Sequence, residues 1–271
     1  MQIEWLIFPL LGAIAGVLAG LLGVGGGLVL IGALVLLLPT MGIPTTDVMH
    51  AALASSLAAI VLTGLSSSRS HAKRGSVLWP TIAWLIPGMM IGGWLGSGLA
   101  VKLSGDILKW VVAIYCLGMA IQMWVSSHRQ RDVPTPARSD EVVPQGPLML
   151  VFGTFIGALS ALVGIGGGSM TVPLLIQKGV SPVRAVGSSA ACGVAIGLSS
   201  AIGYALHAPQ GALPEHASGY IYWPAAIGIA IGSVSMAPLG VRLAHALSGF
   251  HLQRVFAGLL LAVGLAVIFG Q

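Results

Sequence analysis

Charged side chains are scarce in this chain of 271 residues. It contains 12 Lys and Arg and 7 Asp and Glu, which together make up 7% of the sequence. Soluble domains carry about 25% charged residues, and they need these residues to cover a water-facing surface. The composition therefore excludes a soluble globular protein.

Cysteines and buried acids are also few. The two cysteines, Cys116 and Cys192, lie in apolar runs, which provides neither a disulfide framework nor the spacing of zinc ligands. The acidic residues all lie outside the apolar interiors; they are Glu4, Asp47, Asp106, Asp132, Asp140, Glu141 and Glu215. An enzyme needs acid, base or metal groups in its site. The sequence therefore predicts a protein that is not an enzyme and that needs no metal or cofactor.

The net charge of +5 does not indicate a nucleic-acid partner. Lys and Arg lie in loops between apolar runs, where membrane topology accounts for them. A nucleic-acid-binding domain would instead gather them into a basic patch. We predict a lipid bilayer as the surroundings and no nucleic acid as a partner.

Apolar residues dominate what remains, at 56% of the chain, with 39 glycines. Most apolar runs hold about 20 residues, enough for one helical crossing of a bilayer. Only the first and the fifth are clearly longer, and each is interrupted by a glycine cluster. The runs cover 3–38, 48–68, 77–101, 107–125, 148–177, 185–206, 220–241 and 252–270. They predict an all-α integral membrane protein.

Residues 126–147 form the one long polar stretch, with four prolines and six charges, which is typical of a solvated linker. Its two flanks resemble each other. Gly23-Val24-Gly25-Gly26-Gly27 recurs as Gly164-Ile165-Gly166-Gly167-Gly168, 141 residues later, and the pattern Gly-x-x-x-Trp-Pro occurs at 75–80 and at 219–224. We therefore predict two transmembrane repeats, 1–125 and 148–271, joined by the linker.

Positive charge predicts that the repeats are inverted. Loop 69–76 carries three Lys and Arg whereas its counterpart, 207–219, has none, and corresponding loops of opposite bias are expected of inverted repeats. If runs 3–38 and 148–177 each return to the side they entered from, ten of the 12 Lys and Arg share one side. Because the cytoplasmic side concentrates Lys and Arg, we predict a cytoplasmic linker and both termini outside. Each repeat is then a broken or re-entrant glycine-rich helical hairpin followed by three transmembrane helices.

The glycine clusters are the candidate substrate site. A break in a membrane helix leaves backbone groups without partners, and glycines allow successive N–H groups to converge on an anion at the start of the next helix. Close helix packing is the alternative explanation for such glycines. Serine and threonine hydroxyls nearby could add hydrogen bonds, although serines in membrane helices also bond to their own backbone. The candidate residues are Gly23, Gly25, Gly26, Gly27, Ser55, Ser56, Gly164, Gly166, Gly167, Gly168, Ser169, Thr171, Ser188 and Ser189.

The duplicated Gly-x-Gly-Gly-Gly blocks, above all GIGGGSMTVPL at 164–174, and the Gly-x-x-x-Trp-Pro hairpins resemble the sulfite exporter TauE/SafE family of membrane permeases. The resemblance covers both halves outside the linker. It implies transport of small sulfur-containing anions, such as sulfite or organosulfonates, across a bacterial inner membrane. The first copy has Ile31-Gly32 where the second has Val172-Pro173.

The absence of acids from the interiors of the apolar runs favours facilitated diffusion of the anion, because carboxylate proton relays lack candidates. Coupling to an ion held by neutral oxygens is the other possibility. A channel for another small anion, or for a cation lined by carbonyl oxygens, is the alternative function. His50 and His207 are interpreted as solvated histidines near the membrane boundaries.

Overall fold

The computed structural model describes residues 6–23, 25–129, 143–213, 216–246 and 249–269. Helices make up 82% of it, which confirms the all-α class. The helices are α1 (Ile7–Leu22), α2 (Gly27–Leu37), α3 (Val48–Ala72), α4 (Trp79–Lys102), α5 (Gly105–Arg129), α6 (Pro147–Val163), α7 (Gly168–Gln177), α8 (Pro182–His207), α9 (Trp223–Ala246) and α10 (Gly249–Phe269). A 3₁₀ turn follows α2 at Leu38–Met41, and the short strands β1 (Ala217–Ser218) and β2 (Ile221–Tyr222) pair before α9, an element that the sequence did not predict.

Within the described residues, five helices are long and apolar enough to cross a membrane, namely α3, α4, α5, α8 and α9. Helices α3 and α8 are buried along most of their length, so they form the centre of the protein. Helices α4, α5 and α9 present large apolar side chains outward, among them Leu99, Trp110 and Ile231. An outward apolar surface of this kind suits lipid rather than water.

Both over-long runs are broken at their glycine clusters, as predicted. The first break, residues 23–26, separates α1 from α2, and the second break, residues 164–167, separates α6 from α7. The four arms have 16, 11, 17 and 10 residues. At 1.5 Å per residue the longest arm reaches about 26 Å, less than a hydrocarbon core of about 30 Å.

Rows of glycine let the two halves interleave. Gly12, Gly16 and Gly20 lie four residues apart on α1, and a Cβ at each would come within 2.4 Å of a carbonyl oxygen of α9. Gly88, Gly92 and Gly96 on α4 meet carbonyl oxygens of α6 in the same way. Small residues at this spacing allow membrane helices to approach closely. Each first arm therefore packs against a helix of the opposite half.

Two helices overlap the ends of the segment predicted as a linker, residues 126–147. Helix α5 continues to Arg129, and α6 already begins at Pro147. Proline suits the first turn of a helix, because the amide it lacks would have no partner there. Residues 130–142 lie outside the described part of the chain, as do the first five residues and the last two.

Candidate functional site

The arms on each side of the breaks end and begin on left-handed glycines. Gly23 and Gly164 close α1 and α6 with φ near 69°, and their N–H groups donate to the carbonyls of Ala19 and Ser160. Gly26 and Gly167 precede α2 and α7 with φ of 73° and 74°. Residues with a Cβ rarely adopt this conformation, so the backbone path itself requires glycine at these four positions.

The second break leaves backbone N–H groups without acceptors. The first hydrogen bonds into α7 run from Met170 and Thr171 to the carbonyl of Gly167, at 3.2 and 2.9 Å. Among the described residues, the amides at 166–169 donate to no protein atom. First-turn amides of a helix carry partial positive charge. Four successive amides at the start of α7 therefore have no acceptor among the described residues.

The first break resembles it. The first bond into α2 runs from Leu30 to the carbonyl of Gly26, at 3.4 Å. The amides at 27–29 donate to no acceptor among the described residues, which omit residue 24. Each break thus places the positive end of a short helix inside the protein.

The first carbonyl of each break, in contrast, is paired across the two halves. Ser189 Oγ donates to the carbonyl of Gly23 at 2.9 Å, and Ser56 Oγ lies 3.2 Å from the carbonyl of Gly164. Both serines are fully buried, and each also bonds to a carbonyl of its own helix. Sequence reasoning placed these two serines at the site as anion donors. In the structure their protons are directed at carbonyls, so contact with an anion would require those bonds to break.

The neighbouring serines hold the starts of two long helices. Ser188 Oγ accepts the N–H of Leu78, and Ser55 Oγ accepts the N–H of Tyr222, both at 2.9 Å. These amides lie immediately before Trp79 and Trp223, the first residues of α4 and α9. One serine of each predicted pair, Ser56 or Ser189, therefore bonds to a break carbonyl. The other, Ser55 or Ser188, accepts a backbone N–H just before a helix that starts with Trp-Pro.

Close packing, the alternative explanation for the glycines, also applies. A Cβ on Gly27 would lie 2.5 Å from the carbonyl oxygen of Gly164 and 2.7 Å from Ile60 Cδ1. A Cβ on Gly25 would meet Ile60 as well, at 2.8 Å. The two breaks are consequently neighbours in space, and they are close because glycine lines both.

The helix that begins at the second break carries two hydroxyl side chains in its first turn. Ser169 and Thr171 lie in the first turn of α7 and are fully buried. The phenol of Tyr115, on α5, bonds to Ser169 Oγ, whereas Thr171 Oγ1 has no hydrogen-bond partner. The positions that match Ser169 and Thr171 in the first copy are Leu28 and Leu30. Sequence reasoning missed Tyr115, because an isolated aromatic residue in an apolar run usually packs in the core.

Two further buried side chains cap the arms that lead into the breaks. His71 Nε2 lies 3.1 Å from the carbonyl of Gly20 in α1, and Tyr204 Oη donates to the carbonyl of Ala161 in α6 at 3.0 Å. These carbonyls belong to the last turns of α1 and α6, where helices lack internal partners. In each half, the carbonyl three residues before the first glycine of the break thus gains a hydrogen-bond partner from a side chain, in α3 for the first break and in α8 for the second.

The histidine predictions are half right. His207 is exposed, as expected of a boundary residue. His50 is not solvated: it is 4% exposed, stacks on Tyr220 at 4.6 Å between ring centroids, and places Nε2 3.0 Å from the carbonyl of Leu103. The carbonyls that end α4 need a donor, and His50 supplies it.

Residues 8–267 match the model of the family described as Sulfite exporter TauE/SafE. A probable membrane transporter protein of Haemophilus influenzae is 36% identical over 262 residues, covering 96% of each chain. A probable membrane transporter protein of Methanocaldococcus jannaschii is 27% identical over 267 residues, covering 97% of this chain and 96% of its own. One from Xylella fastidiosa is 29% identical over 260 residues, covering 95% and 92%. No solved structure matches the chain.

Proposed function

The chain belongs to the sulfite exporter TauE/SafE family of membrane transporters, and from this we propose that it moves small sulfur-containing anions across a bacterial inner membrane. The observation that carries the proposal is the unequal pairing of the break backbone. The carbonyls of Gly23 and Gly164 already accept serine hydroxyls, while the amides at 166–169 donate to nothing in the described structure.

This inequality favours an anion over a cation. Buried N–H groups without partners cost free energy until an acceptor arrives, and a helix N-terminus attracts negative charge. A cation would need carbonyl oxygens directed at it. The carbonyls of Gly23 and Gly164, one in each break, are already hydrogen-bonded to Ser189 and Ser56 and are therefore not free to bind a cation.

Within the site we propose that the second break binds the anion more strongly than the first. Its amides are joined by the hydroxyls of Ser169 and Thr171, and Thr171 Oγ1 is a buried group that lacks a partner. The first break has the same amide arrangement, but leucines occupy the matching positions. Gly166, Gly167 and Gly168 contribute amides to the anion site, and the remaining candidate residues, Gly23, Gly25, Gly26, Gly27, Ser55, Ser56, Gly164, Ser188 and Ser189, then shape the backbone and hold the two halves together.

We further propose that the halves are inverted repeats that rock against each other, as in other transporters with broken helices. Two kinds of contact support this, because each occurs twice with the roles of the two halves exchanged. Ser189 bonds to Gly23 as Ser56 bonds to Gly164, and α1 packs on α9 as α4 packs on α6. The linker would lie in the cytoplasm and both termini outside. If the anion crossed without a coupled ion, an inside-negative potential of 100 mV would supply roughly 2.3 kcal/mol for each anionic charge exported.

Flux in proteoliposomes tests the proposal. Purified protein is reconstituted and presented with sulfite, methanesulfonate, sulfate, acetate, chloride or sodium, one at a time. We expect saturable flux of sulfite or methanesulfonate that Gly167→Leu abolishes. Gly258→Leu is the matched control, because a Cβ at Gly258 meets no atom within 4 Å, and it should transport normally. Flux of sodium, or flux of every ion at one rate, would contradict the proposal.

A further inference from the structure

The imidazole of His71 has one ring nitrogen more than its structural role requires. The ring is fully buried at the end of α3. Its Nε2 lies 3.1 Å from the carbonyl oxygen of Gly20, and since a carbonyl only accepts, Nε2 carries the proton. Nδ1 is then an acceptor, and it has no hydrogen-bond partner.

The second half performs the same capping without a titratable ring. Tyr204 follows His71 by 133 residues, the spacing that also relates Ser189 to Ser56. Its phenol donates to the carbonyl of Ala161 at 3.0 Å, and Ala161 follows Gly20 by the 141 residues that separate the glycine clusters. A phenol is therefore sufficient to cap the end of the arm. At this pair of matching positions, only the first half has a second ring nitrogen, Nδ1 of His71, that capping does not need.

The groups around His71 come from three helices and one loop. From α9, the His245 ring lies 5.6 Å away between centroids. His245 Nδ1 donates to the carbonyl of Val241 at 2.8 Å, so its Nε2 accepts the hydroxyl proton of Ser76 at 3.0 Å.

Arg74 of the following loop also faces the imidazole electrostatically. Gly187 of α8 lies beside the Cβ of His71, and α1 contributes the carbonyl of Gly20. Among the described residues no carboxylate faces His71, so a proton on Nδ1 would add uncompensated positive charge.

We infer that Nδ1 of His71 is a proton-binding site that couples anion transport to proton movement, an inference that rests on the proposed function. The C-terminal end of α1 carries partial negative charge, and it ends at the first break, three residues after Gly20. Because the two breaks are neighbours, that charge opposes an anion bound between them. A proton on the lone pair of Nδ1 offsets it, so proton and anion each favour binding of the other. The proton leaves when the anion leaves, and no covalent bond other than N–H forms or breaks.

This coupling differs from the uncoupled diffusion that the sequence favoured. The absence of acids from the interiors of the apolar runs removes carboxylate relays, but a histidine at a span end can serve as the titratable group. Coupled movement of one proton with one monovalent anion would carry no net charge. It would make transport respond to a pH gradient instead of the membrane potential.

The test uses methanesulfonate as the probe, because a sulfonate stays ionised across neutral pH and any pH effect must come from the protein. Proteoliposomes are clamped at zero membrane potential, with the outside one pH unit more acid than the inside. At one proton per anion, wild-type protein is expected to accumulate methanesulfonate about tenfold inside. His71→Tyr, which copies the cap of Tyr204, should still carry methanesulfonate down its own gradient but should not accumulate it. His207→Tyr, at an exposed histidine, should accumulate it like the wild type.

His71→Gln serves as a second variant, because its amide can also donate to the Gly20 carbonyl but binds no proton. Accumulation by either His71 variant equal to that of the wild type would overturn the inference. So would downhill transport by the wild type that ignores the pH gradient. If the wild type carries none of the anions, the proposed function itself fails, and that result is distinguishable from a failure of coupling alone.

Discussion

The hydroxyl of Ser189 on α8 donates to the carbonyl of Gly23, 2.9 Å away, at the point where α1 ends. The two residues belong to opposite halves of the chain, and Ser56 and Gly164 repeat the relationship with the halves exchanged. A helix end in the membrane interior needs such a partner, because no water is present to supply one. The breaks are thus stabilised by the half to which they do not belong.

Removing one of these hydroxyls should loosen a break. Ser189→Ala leaves the carbonyl of Gly23 buried without its partner, at a cost of about 1–3 kcal/mol. We expect a lower unfolding temperature in detergent and a lower transport rate. Ser235→Ala is the control, because that exposed hydroxyl bonds only to Ile231 of its own helix. Equal unfolding temperatures for the two variants would show that the bond between the halves contributes nothing.

Gly27→Ala tests whether the breaks must touch. The added Cβ would lie 2.5 Å from the carbonyl oxygen of Gly164, closer than real contacts allow, so the arms must separate. Such overpacking costs about 1–3 kcal/mol, and transport should fall steeply. Gly118→Ala adds the same methyl group where nothing lies within 4 Å, and it should be neutral or slightly stabilising. Normal transport by Gly27→Ala would show that the site tolerates separation.

Thr171→Val separates a binding role from a structural one. The hydroxyl is buried and lacks a partner, so replacing it with a methyl group should leave the unfolding free energy unchanged or raise it by about 1 kcal/mol. If the hydroxyl binds the anion, KM should rise by about five- to tenfold. Ser200→Ala removes another buried hydroxyl without a partner and should leave KM unchanged. A Thr171→Val protein with wild-type KM would remove this residue from the site.

Tyr115→Phe tests the contact that sequence reasoning missed. Loss of the phenol frees Ser169 Oγ from its hydrogen bond and lets that hydroxyl turn away from the break. We expect weaker anion binding, measured as a higher KM, with the maximal rate less affected. A change in folding stability with no change in KM would assign Tyr115 to packing alone.

Cysteine labelling tests the proposed orientation. The two native cysteines are buried, so a membrane-impermeant maleimide should react mainly with introduced ones. Ala137→Cys in the linker should react only in inverted membrane vesicles, and Ala212→Cys in the loop after α8 only in intact cells. Reaction of both from the same side would refute the topology.

The glycine pattern was sufficient to predict where the helices break. Four glycines within five residues, inside runs too long for one crossing, predict a break at each cluster. Gly23, Gly26, Gly164 and Gly167 indeed have left-handed backbone conformations. The serine positions were also found from the repeat. Their hydrogen bonds were not, because a serine pattern does not reveal whether a hydroxyl faces a ligand or a carbonyl of another helix.

The missed residues share a cause. Tyr115, His71 and Tyr204 reach the breaks or the arms beside them only because a distant helix packs against them. No spacing in the sequence connects Tyr115 to Ser169, which lies 54 residues away. In an apolar run, moreover, an aromatic residue or a histidine is usually interpreted as part of the packed core. Only the interleaving of the halves brings them to the site.

A structure determined with a heavy oxyanion such as selenite tests most directly whether the second break binds an anion, since anomalous scattering locates the anion. The account predicts an anion within hydrogen-bonding distance of the amides at 166–169, with Thr171 Oγ1 as an additional donor. An anion bound elsewhere, with those amides covered by protein carbonyl groups, would contradict it.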